Sequence, residues 1–105
     1  MPAVARGDSV DDVTTNHACL GTTKTDGMSS DVIVNGTGVH RKDDATVTHV
    51  SGADSPICTV THAPVIATGS TSVFANGKGV GRVGDGYSGV SDVIATGSVS
   101  VFAGP

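Results

Sequence analysis

The chain has no glutamate, no glutamine and no tryptophan among its 105 residues, and a single leucine, Leu20. Strong helix formers are therefore scarce, while Val, Thr, Gly and Ser dominate, and this composition predicts an all-β protein. The only aromatic residues are Phe74, Tyr87 and Phe102, too few for a large core or a broad aromatic binding platform. Something besides side-chain packing is expected to staple so small a core.

Charge excludes further classes. Every acid is an Asp, ten in all against three Lys and three Arg, so the net charge is −4 and no basic stripe is available for nucleic acid. No run approaches the roughly 18 apolar residues needed to span a bilayer. The first eight residues lack a positively charged region followed by a long apolar stretch, so synthesis in the cytoplasm without a signal peptide is expected. In that compartment Cys19 and Cys58 are expected as thiols or metal ligands rather than as a disulfide.

What the chain does have is repetition. The hexapeptide Val-Ile-Ala-Thr-Gly-Ser occupies residues 65–70 and returns at 93–98, each copy running on into Ser-Val-Phe-Ala at 72–75 and 100–103. A weaker third copy is read at 30–36. Asn35-Gly36 and Asn76-Gly77 each stand between short apolar runs, the strongest local signal for a two-residue hairpin turn. After each hairpin comes an Arg followed by Asp, at Arg41 to Asp44 and Arg82 to Asp85.

The third copy breaks off at Gly104, and the segment that matches the missing return strand is residues 2–8, with Arg6 and Asp8. Joining the ends gives three units, 2–36, 37–77 and 78–105, related by pseudo-threefold symmetry. Repeats that cannot each bury a core must bury one jointly. The excursions 9–28, 45–69 and 86–97 are expected to gather at one end as an apex, with Asn35, Gly36, Asn76, Gly77 and Gly104 at the opposite base. Asp8, Asp44 and Asp85 recur at one corner, where capping of turn N–H groups explains them better than catalysis.

Potential metal ligands are unevenly spread. His17, Cys19, His49, Cys58 and His62 all fall in the first two excursions, and only His40 lies on a strand. Six such side chains in a chain with little core point to a structural metal. The third excursion shows no His or Cys, so the metal is expected to tie the first two together. His40 is read as a hydrogen-bonded strand histidine, with ligation as the alternative.

The pattern resembles the PAAR-repeat family, named for a Pro-Ala-Ala-Arg tetrapeptide that follows an Asn-Gly turn and precedes Gly-Asp. The resemblance rests on Gly-Ser-x-x-Val-Phe-x-Asn-Gly at 69–77, Arg-Val-Gly-Asp at 82–85 and the terminal copy at 97–104. It departs from the family at Gly38 to Arg41 and Gly79 to Arg82, where the proline is missing, and at Asp43, which replaces a glycine. The first excursion and His40-Arg41 resemble versions found in contractile bacteriophage tails and related, type VI secretion-like injection systems.

The resemblance implies a small conical β-structure, pointed at its apex, that caps a trimeric β-helical spike protein, one copy per trimer, and helps pierce the target envelope through transient contact with the outer membrane. It implies a location at the tail-spike tip of a virion or in an extracellular injection apparatus. It also implies a structural Zn²⁺ near the apex held by three His and one Cys, matched here by His17, His49, Cys58 and His62, with Cys19 and His40 as alternates. No enzymatic role is expected. The rival readings are a small zinc metalloenzyme built on His17, His49 and His62, and a free-standing β-rich binding or adhesion module.

Overall fold

A computed structural model describes residues 1–15, 21–50 and 60–105. Among them there is no helix, and nine short strands form β1 (Asp12–Thr14), β2 (Thr22–Lys24), β3 (Ile33–Val34), β4 (Thr37–Gly38), β5 (His49–Val50), β6 (Thr61–His62), β7 (Phe74–Ala75), β8 (Lys78–Gly79) and β9 (Val93–Ile94). The fold is all-β, in small antiparallel sheets ordered β2-β1-β9, β3-β4, β5-β6 and β7-β8.

Asn-Gly makes both tight hairpins. Asn35 and Gly36 have φ of 52° and 84°, and Asn76 and Gly77 have 55° and 77°, the positive pair that a two-residue turn matched to strand twist requires. They join β3 to β4 with Ile33 opposite Gly38, and β7 to β8 with Phe74 opposite Gly79. The third hairpin is assembled from the chain ends, because Phe102 pairs with Ala3 in the same antiparallel sense.

The units then interlock in a ring. Arg6 pairs with Val39, Arg41 with Val80 and Arg82 with Val4, so each unit bonds to the next and the third returns to the first. A second ring repeats this order, with Thr25 opposite Thr46, Ile66 opposite Tyr87 and Ile94 opposite Val13. The body measures 40 × 23 × 22 Å, and its two nearly equal short axes suit a rotational axis along its length.

The second ring corrects the weakest repeat. The counterpart of residues 65–70 and 93–98 is 24–29, not 30–36: Thr25 is buried where Ile66 and Ile94 are buried, and Ser29 sits where Ser70 and Ser98 sit. Each of these serines is buried and accepts from the backbone N–H groups two and three residues on, at 2.9 to 3.2 Å. Residues 30–36 correspond instead to the Val-Phe-Ala strand.

Packing follows the same symmetry. One apolar layer takes Val4, Val39 and Val80 from equivalent positions, with Ala75, Ala103 and the half-buried Val34 beside them. A second layer contains Ala5, Val13, Ile66, Tyr87 and Ile94. Here the units differ: Ala5, His40 and Gly81 are equivalents, so a large buried imidazole is balanced by an alanine and a glycine. A methyl group at Gly81 would lie 2.9 Å from the His40 carbonyl oxygen and 3.0 Å from Ile66 Cδ1. The close-packed interior therefore holds that position to glycine.

Polar clamps do the stapling. Asp44 accepts from the Arg41 N–H at 2.8 Å and from its guanidinium at 2.8 and 3.0 Å, and Asp85 does the same for Arg82 at 2.8, 3.1 and 3.0 Å. Each guanidinium also reaches the turn at the far end of its own unit: Arg41 donates to Asn76 at 2.9 Å, Arg6 to Asn35 at 3.5 Å and Arg82 to the Gly104 carbonyl at 2.8 Å. Burial of such bidentate carboxylate pairs holds the strand ends in register.

In the first unit the clamp belongs to Asp11, not to Asp8 as the sequence suggests. Asp11 accepts from the Arg6 N–H at 2.7 Å and from its guanidinium at 3.1 and 3.0 Å. Asp8 and Ser9 take φ of 55° and 61° in a loop two residues longer than the others, where Asp43 and Gly84 each supply one left-handed residue, at 74° and 95°. The acid has moved along the chain while the corner is preserved.

Candidate metal centre

Beyond the second apolar layer, β5 and β6 place His49 directly opposite His62. Directly paired residues on a hairpin send both side chains to one face, and the two Nε2 atoms stand 2.8 Å apart. Their rings meet edge to face, with centroids 4.4 Å apart. The Nδ1 of His49 lies 2.8 Å from the Val47 carbonyl oxygen and 3.4 Å from the Thr46 hydroxyl. Donation from Nδ1 to the carbonyl fixes the tautomer and leaves the Nε2 lone pair facing His62, the orientation that metal-ligating histidines show.

The third side chain comes from the loop between Tyr87 and β9. Asp92 is fully buried, and its Oδ2 is 3.5 Å from His49 Nε2. One ligand atom from each of His49, His62 and Asp92 lies within 4.8 Å of the others, so the cluster can hold a metal ion. A tetrahedral ion with bonds of about 2.0–2.1 Å sets its ligand atoms roughly 3.3–3.4 Å apart. The observed 2.8 and 3.5 Å separations bracket that span.

Of the residues singled out in the sequence, His49 and His62 meet here. His17, Cys19 and Cys58 lie outside the described residues. His40 stands elsewhere, with Nδ1 2.6 Å from the Gly27 carbonyl oxygen and Nε2 2.8 Å from the Tyr87 hydroxyl. Both ring nitrogens are thus committed, as the strand-histidine reading expects. Burial pushes its pKa below the ordinary value, outweighing the Gly27 carbonyl and the Asp44 and Asp11 carboxylates, which act the other way. Burial likewise raises the Tyr87 phenol, so this pair is neutral near pH 7.

Asp92 was not legible as a ligand. It follows Ser91 in a loop without His or Cys, one Asp among ten, and only the pairing of β9 with β1 on one side and of Gly86 with Val93 on the other brings it inward. The cluster brings the third excursion, which has no His or Cys, to the second, while the expected ligands of the first, His17 and Cys19, lie outside the described residues.

No protein-family model matches the chain, and no curated protein matches it.

Proposed function

We propose that this protein is the tip of a spike, a non-enzymatic cap that closes and sharpens a trimeric β-helical spike of a contractile phage tail or related injection system. The observation that carries the reading is a threefold set of exposed apolar side chains. Ile33, Phe74 and Phe102 occupy equivalent hairpin positions and are 55%, 57% and 49% exposed, and the equivalent Val32, Val73 and Val101 are exposed as well. Exposed apolar surface of this kind marks an interaction site. Repeated once per unit around a closed ring, it suits a partner with the same threefold symmetry. A cap that covers the partner's terminal strand edges also removes a route to edge-to-edge aggregation.

The metal, as zinc, supports the opposite end. His49, His62 and Asp92 would hold it, and Zn²⁺ bound there would cross-link β5, β6 and the loop before β9, contributing directly to folding. In a body whose core is two thin apolar layers, such a cross-link stiffens the part that meets the target envelope first. Ligand counting by X-ray absorption separates this role, which needs a fourth protein ligand beside these three, from the metalloenzyme alternative, which keeps that position open.

The reading is tested by co-purification with a candidate homotrimeric β-helical spike, followed by mass measurement of the complex. One cap per trimer is expected, and Phe74→Asp with Phe102→Asp should abolish the complex while leaving metal content unchanged. A complex that forms equally well with the double variant would overturn the assignment of this face.

A further inference from the structure

Six side chains carry a permanent positive charge. Four of them close ion pairs: Arg6 with Asp11, Arg41 with Asp44, Arg82 with Asp85 and Lys24 with Asp12. The remaining two, Lys42 and Lys78, form no ion pair among the described residues, and both line one groove of about 500 Å³. Its lining also includes Thr68, Ser70 and Phe74, the last 57% exposed. In a chain of net charge −4, the two lysines without an ion pair among the described residues thus line one cleft together with an aromatic residue.

The ring pairing shows that this groove is cationic only once. The equivalents of Lys42 are Gly7 and Val83, and those of Lys78 are Thr37 and Pro2, so the other two inter-unit positions carry no lysine at either place. A device for gripping a threefold partner would be built in triplicate. A single copy suits a single-copy ligand.

We propose that this groove docks an extended acidic peptide segment of a second protein, one per tip, with an apolar side chain of the segment against Phe74 and its carboxylates at Lys42 and Lys78. Asp43 also lines the groove and repels carboxylates from its own edge, which favours segments whose acids fall at the lysines. Two lysines fall short of the clusters of roughly four to eight basic residues by which proteins recognise anionic membranes. The same shortage argues against a nucleic acid backbone, whose affinity grows with the number of phosphates neutralised. An acidic peptide needs only complementary charge and one apolar anchor. The site goes beyond the spike-tip reading and does not require it, since the groove is present in the isolated protein; because Phe74 also belongs to the exposed threefold apolar set, segment and spike would exclude each other at that side chain, and the segment is expected on the free tip.

Fluorescence anisotropy with a short fluorescein-labelled peptide of Glu and Asp flanking a Leu-Phe pair tests the proposal on the full chain. One-to-one binding is expected, weakening as salt rises, and falling roughly tenfold or more in the Lys42→Glu, Lys78→Glu double variant. Lys24→Ala, which removes a lysine outside the groove, should leave binding unchanged. The alanine pair at Lys42 and Lys78 gives a second, milder test should the double charge reversal fail to fold. Equal loss with Lys24→Ala, no effect of either groove variant, or preference for phosphatidylglycerol vesicles over the peptide would each overturn the proposal. Failure here with intact spike co-purification would count against the groove alone.

Discussion

Replacing Asp11 with alanine removes an acceptor that the Arg6 N–H and guanidinium share in three contacts between 2.7 and 3.1 Å, and that Thr96 also uses at 3.1 Å. Asp11 is 2% exposed, so the charge left on Arg6 loses its partner where water reaches poorly. Breaking a buried pair by deleting one partner costs about 3–5 kcal/mol, and the partial exposure of Arg6, 17%, argues for the lower end, about 3 kcal/mol. For a domain of this size each kcal/mol moves the midpoint by roughly 4–8 °C, so Asp11→Ala should melt at least about 12 °C lower. Asp44→Ala and Asp85→Ala should match it, since their clamps have the same geometry. Asp8→Ala is the control: Asp8 is exposed and makes no such clamp, and the expected cost is that of an alanine held at φ 55°, about 1 kcal/mol. Thermal melts followed by circular dichroism on the four variants decide the matter. A cost at Asp8 equal to that at Asp44, or an Asp11 variant as stable as the parent, would refute the assignment of the first corner.

Two further outcomes follow from the interior. His40 has a depressed pKa in the folded chain, so the native state binds fewer protons than the unfolded one as pH falls below about 6.5; stability is full above that value and declines below it, by up to about 1.4 kcal/mol per pH unit from this group. Arg41, Asp44 and Asp11 modulate the shift, and a His40→Gln variant whose acid limb is as steep as the parent's would show that other groups carry it. At the candidate metal centre, Asp92→Asn keeps the shape and removes the charge; zinc affinity by chelator competition should drop roughly tenfold or more, and an unchanged affinity would remove Asp92 from the ligand set.

Much of the fold was written in repeated short strings. The Asn-Gly turns specify positive φ at two adjacent residues, and few other local structures satisfy that demand. The match of residues 2–8 to the return strands anticipated the Ala3–Phe102 pairing, because a strand with no partner elsewhere leaves another strand's backbone groups unsatisfied. The first unit was harder to read. Its loop is longer by two residues, and Lys-Thr-Asp-Gly-Met-Ser keeps only a β-branched residue and a serine of the hexapeptide. Packing tolerates Thr25 for Ile66 because Thr25 finds hydrogen-bond partners, its hydroxyl donating to the Arg6 carbonyl at 2.5 Å. Sequence similarity does not report that exchange. Of the candidate centre, the two histidines were visible because of their residue type, whereas Asp92 becomes a ligand only through long-range pairing that no local pattern encodes.

The pairing of Ala3 with Phe102 spans almost the whole chain. During synthesis the first strand waits, edge exposed, until the last has left the ribosome, so neither ring of strands can close one unit at a time. Such long-range closure makes folding slow and late. It also makes the final step all-or-none: a truncated chain lacks the closing pair, and a partly made cap presents an open ring rather than a smaller version of itself.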